Sequence, residues 1–170
     1  MSAQIYPEFA ESGLARILLS MEQKVTAKDL TKVPPRSPKT LVGGYAILGR
    51  TLDKCRALLA GTIGEYHFDC PLDNMLFGWK RVIGGGFKAE VAKGASDQEM
   101  VEWVDTHGRL KTDDEKKAWV EEVSKASFYH NPAKRDSFIA ETKKLGLDPA
   151  TTTLFDWLEA DDKASHPMAG

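Results

Sequence analysis

The sequence predicts an all-α protein, a compact single-domain bundle of six to eight helices with a short extended turn around residues 61–70. Apolar side chains recur at three- and four-residue steps along several segments, which is the period of an amphipathic helix. At two segment starts, Ser or Thr stands three residues before a glutamate, a pattern typical of helix N-termini. No segment alternates apolar and polar residues convincingly, as a half-buried strand would. Together these observations favour helices packed on helices.

The first half of the chain is predicted to contain three helices. The helix over residues 11–24 is predicted from the helical spacing of its Leu, Ile and Met residues. Three prolines within residues 32–38 predict an extended connector, because proline disrupts a helix interior. A long helix is predicted over residues 41–60, ended by a glycine. Its apolar face consists of Leu41, Tyr45, Leu48, Leu52, Cys55 and Leu59. Pro71 then starts a helix that ends near Trp79.

The second half is predicted to contain the remaining helices. Glycines 84–86 are predicted to form a flexible loop before them. Ser96 with Glu99, and Thr112 with Glu115, are the two capping boxes. Proline at the first helical position and glycine after the last one set the other limits. The predicted ranges are 87–93, 96–108, 112–129, 131–146 and a last helix that starts at residues 148–149.

The length of 170 residues fits one domain with a sizeable core. We expect residues 1–33 to be an N-terminal extension whose helix packs on that core. Residues 34–158 are expected to form the single helical domain, and residues 159–170 a frayed tail.

Composition narrows the choice of partner and compartment. The net charge of −2 argues against nucleic acid, whose binding domains are usually strongly basic. No apolar run approaches the roughly 18 residues of a membrane span, and the N-terminus lacks the pattern of a signal peptide. Two cysteines do not make a disulfide framework, so we expect both thiols to be reduced. The sequence therefore predicts a cytoplasmic protein that binds neither nucleic acid nor membrane; its oligomeric state is left open.

A cluster of charged side chains on and before the long helix is the first candidate site. It consists of Arg36, Arg50, Asp53, Lys54 and Arg56. Arginine forks match carboxylates and phosphates, so the four cations are predicted to bind an anionic small molecule while Asp53 positions them. The alternative is a salt-bridge network that only fixes the central helix.

The segment after that helix supplies the candidate acid–base groups. In an extended stretch Glu65 and His67 share one face, so the carboxylate could orient the imidazole. Tyr66 is the candidate for a second proton donor. The alternative is that His67 makes only a structural hydrogen bond.

Cys70 precedes Pro71 and is therefore predicted to lie at a helix N-terminus, where a thiol pKa is lowered. A cysteine nucleophile with His67 as its base is one alternative, and a small cap with Asp73 satisfying the backbone is the other. His67, Asp69 and Cys70 are metal-ligand types, but the chain has no paired ligand spacing. We expect no metal and no cofactor.

Four motifs resemble the signature of a bacterial family known only as a domain of unknown function. They are Pro35–Pro38, Arg50–Lys54, Gly64–His67 and Cys70–Asp73. The resemblance extends over roughly residues 29–160. It implies a small helical bacterial protein and brings no activity, cofactor or catalytic residue with it.

The leading hypothesis from the sequence is a cofactor-independent enzyme of lyase or isomerase type that acts on an anionic small molecule by acid–base chemistry. His67, Glu65, Tyr66 and Asp53 would be its catalytic groups. A non-catalytic small-molecule-binding or adaptor domain with the same cationic pocket is the second hypothesis, and a structural bundle with a buried polar network is the third. Exposure distinguishes them, because a working site must be open to its ligand whereas a structural network is paired and dry.

Overall fold

The computed structural model describes residues 26–167. Within that range the chain forms seven α-helices and one short 3-10 helix, with no β-sheet, so the all-α prediction is confirmed. The α-helices are α1 (Leu48–Ala60), α2 (Pro71–Lys80), α3 (Gly84–Val91), α4 (Asp97–Thr106), α5 (Asp113–Ser124), α6 (Arg135–Lys144) and α7 (Leu154–Ser165), and the 3-10 helix Phe128–His130 lies between α5 and α6. The helix predicted over residues 11–24 lies outside the described residues.

Helix α1 lies at the centre of the fold and is covered on both faces. Leu48, Leu52 and Cys55 are fully buried on its apolar side. Its polar side is buried too, since Arg50 and Lys54 are only 3% and 2% exposed. Charged side chains are seldom buried this deeply without partners, so the neighbours of α1 must neutralise them.

The start of α1 differs from the prediction. The helix begins at Leu48, and the preceding residues form turns with a single β-bridge between Val42 and Tyr45. Gly43 and Gly44 have φ angles of +59° and +81°, in the left-handed region that glycine tolerates best. A Cβ atom on Gly43 would overlap the side chain of Val101. Close packing against α4 therefore requires glycine here and ends the helix pattern.

The apolar face predicted for α1 was wrong at its two ends. Leu41 is 53% exposed because it precedes the helix, and Leu59 is 47% exposed because it lies on the last turn. Tyr45 is fully buried, although it lies in the turn before α1. The central part of the predicted apolar face is the part that packs into the core.

Local capping signals predicted two helix starts correctly. Ser96 Oγ accepts a hydrogen bond from the Glu99 amide at 3.2 Å, and Glu99 accepts one from the Ser96 amide at 2.7 Å. Thr112 and Glu115 form the same reciprocal pair before α5. These bonds satisfy backbone donors that the first helical turn leaves free.

Three other predicted boundaries were wrong. Glycines 84–86 form the first turn of α3 instead of a loop, because Phe87 and Val91 anchor that helix in the core. Helix α5 ends at Ser124, short of the predicted residue 129, and the carbonyl of Ala126 accepts a hydrogen bond from the Leu154 amide. The last helix starts after Thr153 instead of at residues 148–149, because the Thr153 side chain caps it.

Helix α7 extends through Ser165, well into the stretch predicted as a tail from residue 159. Two ion pairs hold it against the body of the fold. Lys39 Nζ lies 2.6 Å from a carboxylate oxygen of Glu159, and Arg50 pairs with Asp162, which is 6% exposed. The end of the chain's last helix is thus fixed by contacts with residues more than 100 positions earlier.

No helix within residues 26–167 combines the length and the apolar character needed to cross a membrane.

Candidate functional site

Arg50 is buried against the carboxylate of Asp162. Two parallel hydrogen bonds join them, from Nη1 to Oδ2 at 2.5 Å and from Nη2 to Oδ1 at 2.9 Å. The hydroxyl of Tyr66 donates to the same carboxylate at 2.8 Å. The guanidinium also lies 5.4 Å from the centre of the Tyr66 ring. The charge of Arg50 is therefore neutralised inside the protein in the bidentate geometry that carboxylates favour.

Lys54 ties the segment after α1 to the helix. Its Nζ lies 2.8 Å from Asp73, a carboxylate at the start of α2 that is fully buried. The same ammonium donates to the carbonyl oxygen of His67 at 3.0 Å and contacts Cys70 Sγ at 3.2 Å. Thr51 donates its hydroxyl proton to Asp73 at 2.7 Å. Each donor of the ammonium thus has a partner, and the turn over residues 67–70 is held against α1.

Asp53 is surrounded by cations on the other side of the helix. Its carboxylate accepts the backbone amide of Arg36 at 2.8 Å and a guanidinium nitrogen of Arg36 at 2.9 Å. Lys28 Nζ lies 3.2 Å away. Asp53 is only 5% exposed, and its hydrogen bonds to Arg36 fix the proline-rich connector to α1. Asp53 was expected to position the arginines of its own helix, but it pairs with Arg36 from outside the helix, whereas Arg50 pairs with Asp162 and Arg56 with Asp97.

Asp97, the first residue of α4, joins the two remaining cations. It lies 2.5 Å from Arg36 Nη1 and 2.6 Å from Arg56 Nη1. Partial burial acts to raise the pKa of the Asp97 carboxyl, but hydrogen bonds from both arginines outweigh it and hold the pKa below its usual range. The aspartate is therefore ionised at neutral pH.

The predicted acid–base residues do not form a hydrogen-bonded group. Glu65 and His67 are exposed, and neither side chain makes a hydrogen bond or ion pair with any residue from 26 to 167. His67 contributes only its backbone carbonyl, to Lys54. Tyr66 is half-buried; its burial and its hydrogen bond to Asp162 both raise the pKa of its hydroxyl. Tyr66 is therefore protonated at neutral pH and is held in the ion-pair network.

Only part of the predicted cluster comes together. The structure joins Arg50 to Tyr66 through Asp162, and joins Lys54 to the backbone of His67. It places Asp53 in a separate group with Arg36. The sequence interpretation missed Asp73 as an ion-pair partner, and it missed Asp162 and Asp97 altogether. The sequence offers no usable signal for Asp162, because this residue falls in the stretch predicted as a frayed tail.

The two cysteines occupy different environments, and both are free thiols. Cys55 is fully buried, and burial raises the pKa of its thiol to about 12, so it is protonated at neutral pH. Cys70 is half-buried at the start of α2, beside the Lys54 ammonium. Within the described part of the chain, no three His, Cys, Asp or Glu side chains are grouped as metal ligands would be.

Two cavities of similar size border α7. One, of about 300 Å³, lies between Pro34–Pro35 and the end of α7 and reaches Asp162 and His166. The other, of about 290 Å³, is lined mainly by Phe128, Phe138 and Trp157. Volumes near 300 Å³ lie at the lower end of the range for small-molecule sites.

The fold and these contacts define a small all-α domain whose central helix carries buried ion pairs. The chain belongs to the family described as a domain of unknown function, DUF5069, whose family model matches residues 32–164. That match confirms the resemblance inferred from the sequence. No curated protein matches this sequence.

Proposed function

We propose that this domain is a non-catalytic small-molecule-binding module in which the charges of α1 build the scaffold. The cavities of about 300 Å³ beside α7 support the binding role, and the neutralisation of all four predicted anion-binding cations supports the scaffold role of the charges. Arg50 pairs with Asp162, Lys54 with Asp73, Arg36 with Asp53 and Asp97, and Arg56 with Asp97. An incoming anion at this cluster would have to displace a carboxylate of the protein itself.

The energetics argue against such a displacement. Breaking a buried ion pair by removing one partner costs about 3–5 kcal/mol, because the other charge is left uncompensated. A ligand carboxylate that replaced Asp162 beside Arg50 would recover that interaction but would leave the aspartate buried and unpaired. The exchange offers no net gain, so a ligand is better bound elsewhere on the domain.

The position of His67 argues in the same direction. General acid–base catalysis needs a side chain held within hydrogen-bond reach of the proton it transfers. His67 is exposed, and Glu65 does not hydrogen-bond it. The alternative function is the predicted lyase or isomerase acting on an anion. One observation favours it, the cavity of about 300 Å³ that reaches Asp162, the partner of Tyr66.

A binding screen followed by product analysis separates the two functions. A panel of metabolites is tested for ligands that raise the melting temperature, since binding to the folded state stabilises it. Each ligand found is then incubated with the protein and analysed by NMR. We expect the ligand to be recovered unchanged. Conversion of the ligand by the wild-type protein but not by His67→Ala would refute the proposal in favour of the enzyme.

Stability measurements on His67→Ala give a second test that needs no ligand. Because the His67 side chain is exposed and makes no hydrogen bond or ion pair with the described residues, we expect its removal to change the free energy of unfolding by less than about 0.5 kcal/mol. The screen can then use His67→Ala as a properly folded control. A loss of more than about 1 kcal/mol would mean that the imidazole has a structural contact absent from this arrangement.

A further inference from the structure

The cavity of about 290 Å³ has walls of aromatic side chains and a charged rim. It lies where the 3-10 helix, α6 and α7 meet. Phe128 and Phe138 meet edge to face with ring centroids 6.0 Å apart, and Phe138 meets Trp157 in the same way at 5.8 Å. Such rings present flat apolar surfaces at angles that suit a further ring. The apolar part of a ligand would therefore be planar and small.

Among the residues that line the pocket, Lys134 carries the charge that has no opposite partner in the described chain. Lys134 Nζ lies 4.3 Å from the centre of the Phe128 ring, and no carboxylate in the described chain lies within ion-pair distance of it. Glu141, the acid at the rim, is already paired with Lys144 at 2.7 Å. Lys134 therefore favours an anionic ligand and opposes a cationic one, since an ammonium already occupies a face of Phe128.

Trp157 adds an unsatisfied donor to this region. Its Nε1 is buried and finds no acceptor among residues 26–167. Buried donors are rarely left without a partner, because the loss of hydration is then uncompensated. Because this nitrogen is shielded from solvent, a ligand in the pocket would contact the ring of Trp157 and not its N–H.

We propose that this aromatic pocket binds a small aromatic carboxylate. The ring would lie against Phe128, Phe138 and Trp157, and the carboxylate would face the ammonium of Lys134. The inference rests on the proposed binding function, and names its site and its class of ligand. It also moves the anion site predicted from the sequence from the buried pairs of α1 to a cation that has no acidic partner among residues 26–167.

The test uses three probes that share one ring and differ in charge: benzoate, benzyl alcohol and benzylamine. Binding to the full-length protein is followed by NMR on the indole N–H signals of the four tryptophans, with Trp157→Phe used to assign the relevant one. We expect benzoate to shift the Trp157 signal saturably and to bind at least several-fold tighter than benzyl alcohol. Benzylamine should bind weakest.

Charge variants test the role assigned to Lys134. Lys134→Gln should weaken benzoate binding about tenfold, the effect of losing a charge-assisted contact, and leave benzyl alcohol unchanged. Lys143→Gln is the matched control, because Lys143 is exposed on α6, the helix that Lys134 precedes, has no acidic partner in the described chain and does not line the pocket. Ser137→Trp places a bulky ring on an exposed rim position and should block all three probes without disturbing the core.

Three results would overturn the inference: benzylamine binding as tightly as benzoate, equal effects of the Lys134 and Lys143 variants, or no shift of the Trp157 signal. Its failure is distinguishable from failure of the proposed function. A metabolite that binds unchanged, and whose affinity neither Lys134→Gln nor Ser137→Trp alters, overturns the pocket assignment alone. Turnover that depends on His67, together with benzoate binding in this pocket, overturns the non-catalytic function alone.

Discussion

Asp162 accepts three hydrogen bonds, two from Arg50 and one from Tyr66, in a place where both charged side chains are almost fully buried. Each ion has given up its hydration, and only the partner compensates that loss. A buried pair of this kind adds little net stability compared with apolar residues of similar size. Removing one member, in contrast, is costly. The cost of losing one of these side chains is therefore measured as the change in the free energy of unfolding of a single variant.

We predict that Asp162→Ala lowers the free energy of unfolding by about 3–5 kcal/mol, because it leaves the Arg50 guanidinium buried without a counter-charge. Urea denaturation with an unchanged m-value measures this loss. Asp161→Ala is the matched control, since its side chain is exposed one position away on the same helix. We expect no comparable loss, because partial burial and the charges of Asp162 and Glu141 disfavour the ionised form of Asp161 and raise its pKa. Similar losses in both variants would show that the Arg50 pair is not structural.

At this scale the sequence identified the unusual charged residues but not most of their partners. Arg50, Lys54 and Asp53 were recognisable because they lie on the polar side of a helix with a strong apolar stripe. The salt-bridge network was one of the two interpretations that the pattern left open. Asp162 lies 112 residues from Arg50 along the chain, and no local periodicity links positions so far apart. Such pairing becomes visible only once α7 is docked.

At the scale of helices, boundaries set by local sequence signals were predicted more accurately than boundaries set by tertiary packing. The starts of α4 and α5 were predicted correctly because a capping box is contained within four residues. Two glycine-rich segments were interpreted the wrong way round: glycines 43–44 form a turn inside a predicted helix, and glycines 84–86 form a helix inside a predicted loop. At glycines 43–44 the low helix propensity of glycine and the close packing against Val101 both favour the turn, whereas at glycines 84–86 the packing of Phe87 overrides that propensity.

The glycine-rich first turn of α3 therefore offers a stabilising substitution. Gly85 is helical and exposed, and a Cβ added there meets nothing within 4 Å. We predict that Gly85→Ala raises the free energy of unfolding by about 0.5–1 kcal/mol, because alanine loses less conformational entropy in a helix. Thermal and urea unfolding both measure this gain.

Gly84→Ala is the control from the same turn. Its added Cβ would come within 2.5 Å of a carboxylate oxygen of Asp69, which would have to move. We expect that displacement to cancel the gain in helix propensity. A Gly85→Ala variant no more stable than Gly84→Ala would contradict the prediction and would mean that the segment is not helical in solution.

For the whole molecule, the many ionised carboxylates predict a loss of stability in acid. Hydrogen bonds from Lys39 and then Thr153 lower the pKa of Asp156 to about 2. The pKa of Asp105 is lowered as well: burial acts to raise it, but hydrogen bonds from Lys116 and Tyr45 outweigh that effect. Because the folded-state pKa lies below the unfolded value of 3.8, this stability is present above pH 4 and is lost as the pH falls towards 2. Urea unfolding between pH 2.5 and 7 should show a plateau above about pH 5 and a decline below about pH 4, and a flat profile would contradict it.

Stability should also fall in alkali, for a different group of residues. Burial raises the pKa of the Cys55 thiol to about 12 from its ordinary 9.0. It also raises the pKa of the Tyr45 and Tyr66 hydroxyls above 10.0, with further contributions from their hydrogen bonds to Asp105 and Asp162.

A raised folded-state pKa means that the unfolded chain loses these protons first. The stabilising contribution is therefore complete below about pH 9 and declines as the pH rises through 10, by up to about 1.4 kcal/mol per pH unit for each group. Lys80, whose pKa burial lowers, acts in the opposite direction, but Lys39, whose pKa is raised by its hydrogen bonds to Asp156 and Glu159, adds to the other three groups. We predict that the free energy of unfolding declines between pH 9 and 11, and that Tyr66→Phe makes this decline shallower while lowering the plateau. An equally steep decline in Tyr66→Phe would show that Tyr66 ionises as easily in the folded protein as in the unfolded chain, and would contradict its burial against Asp162.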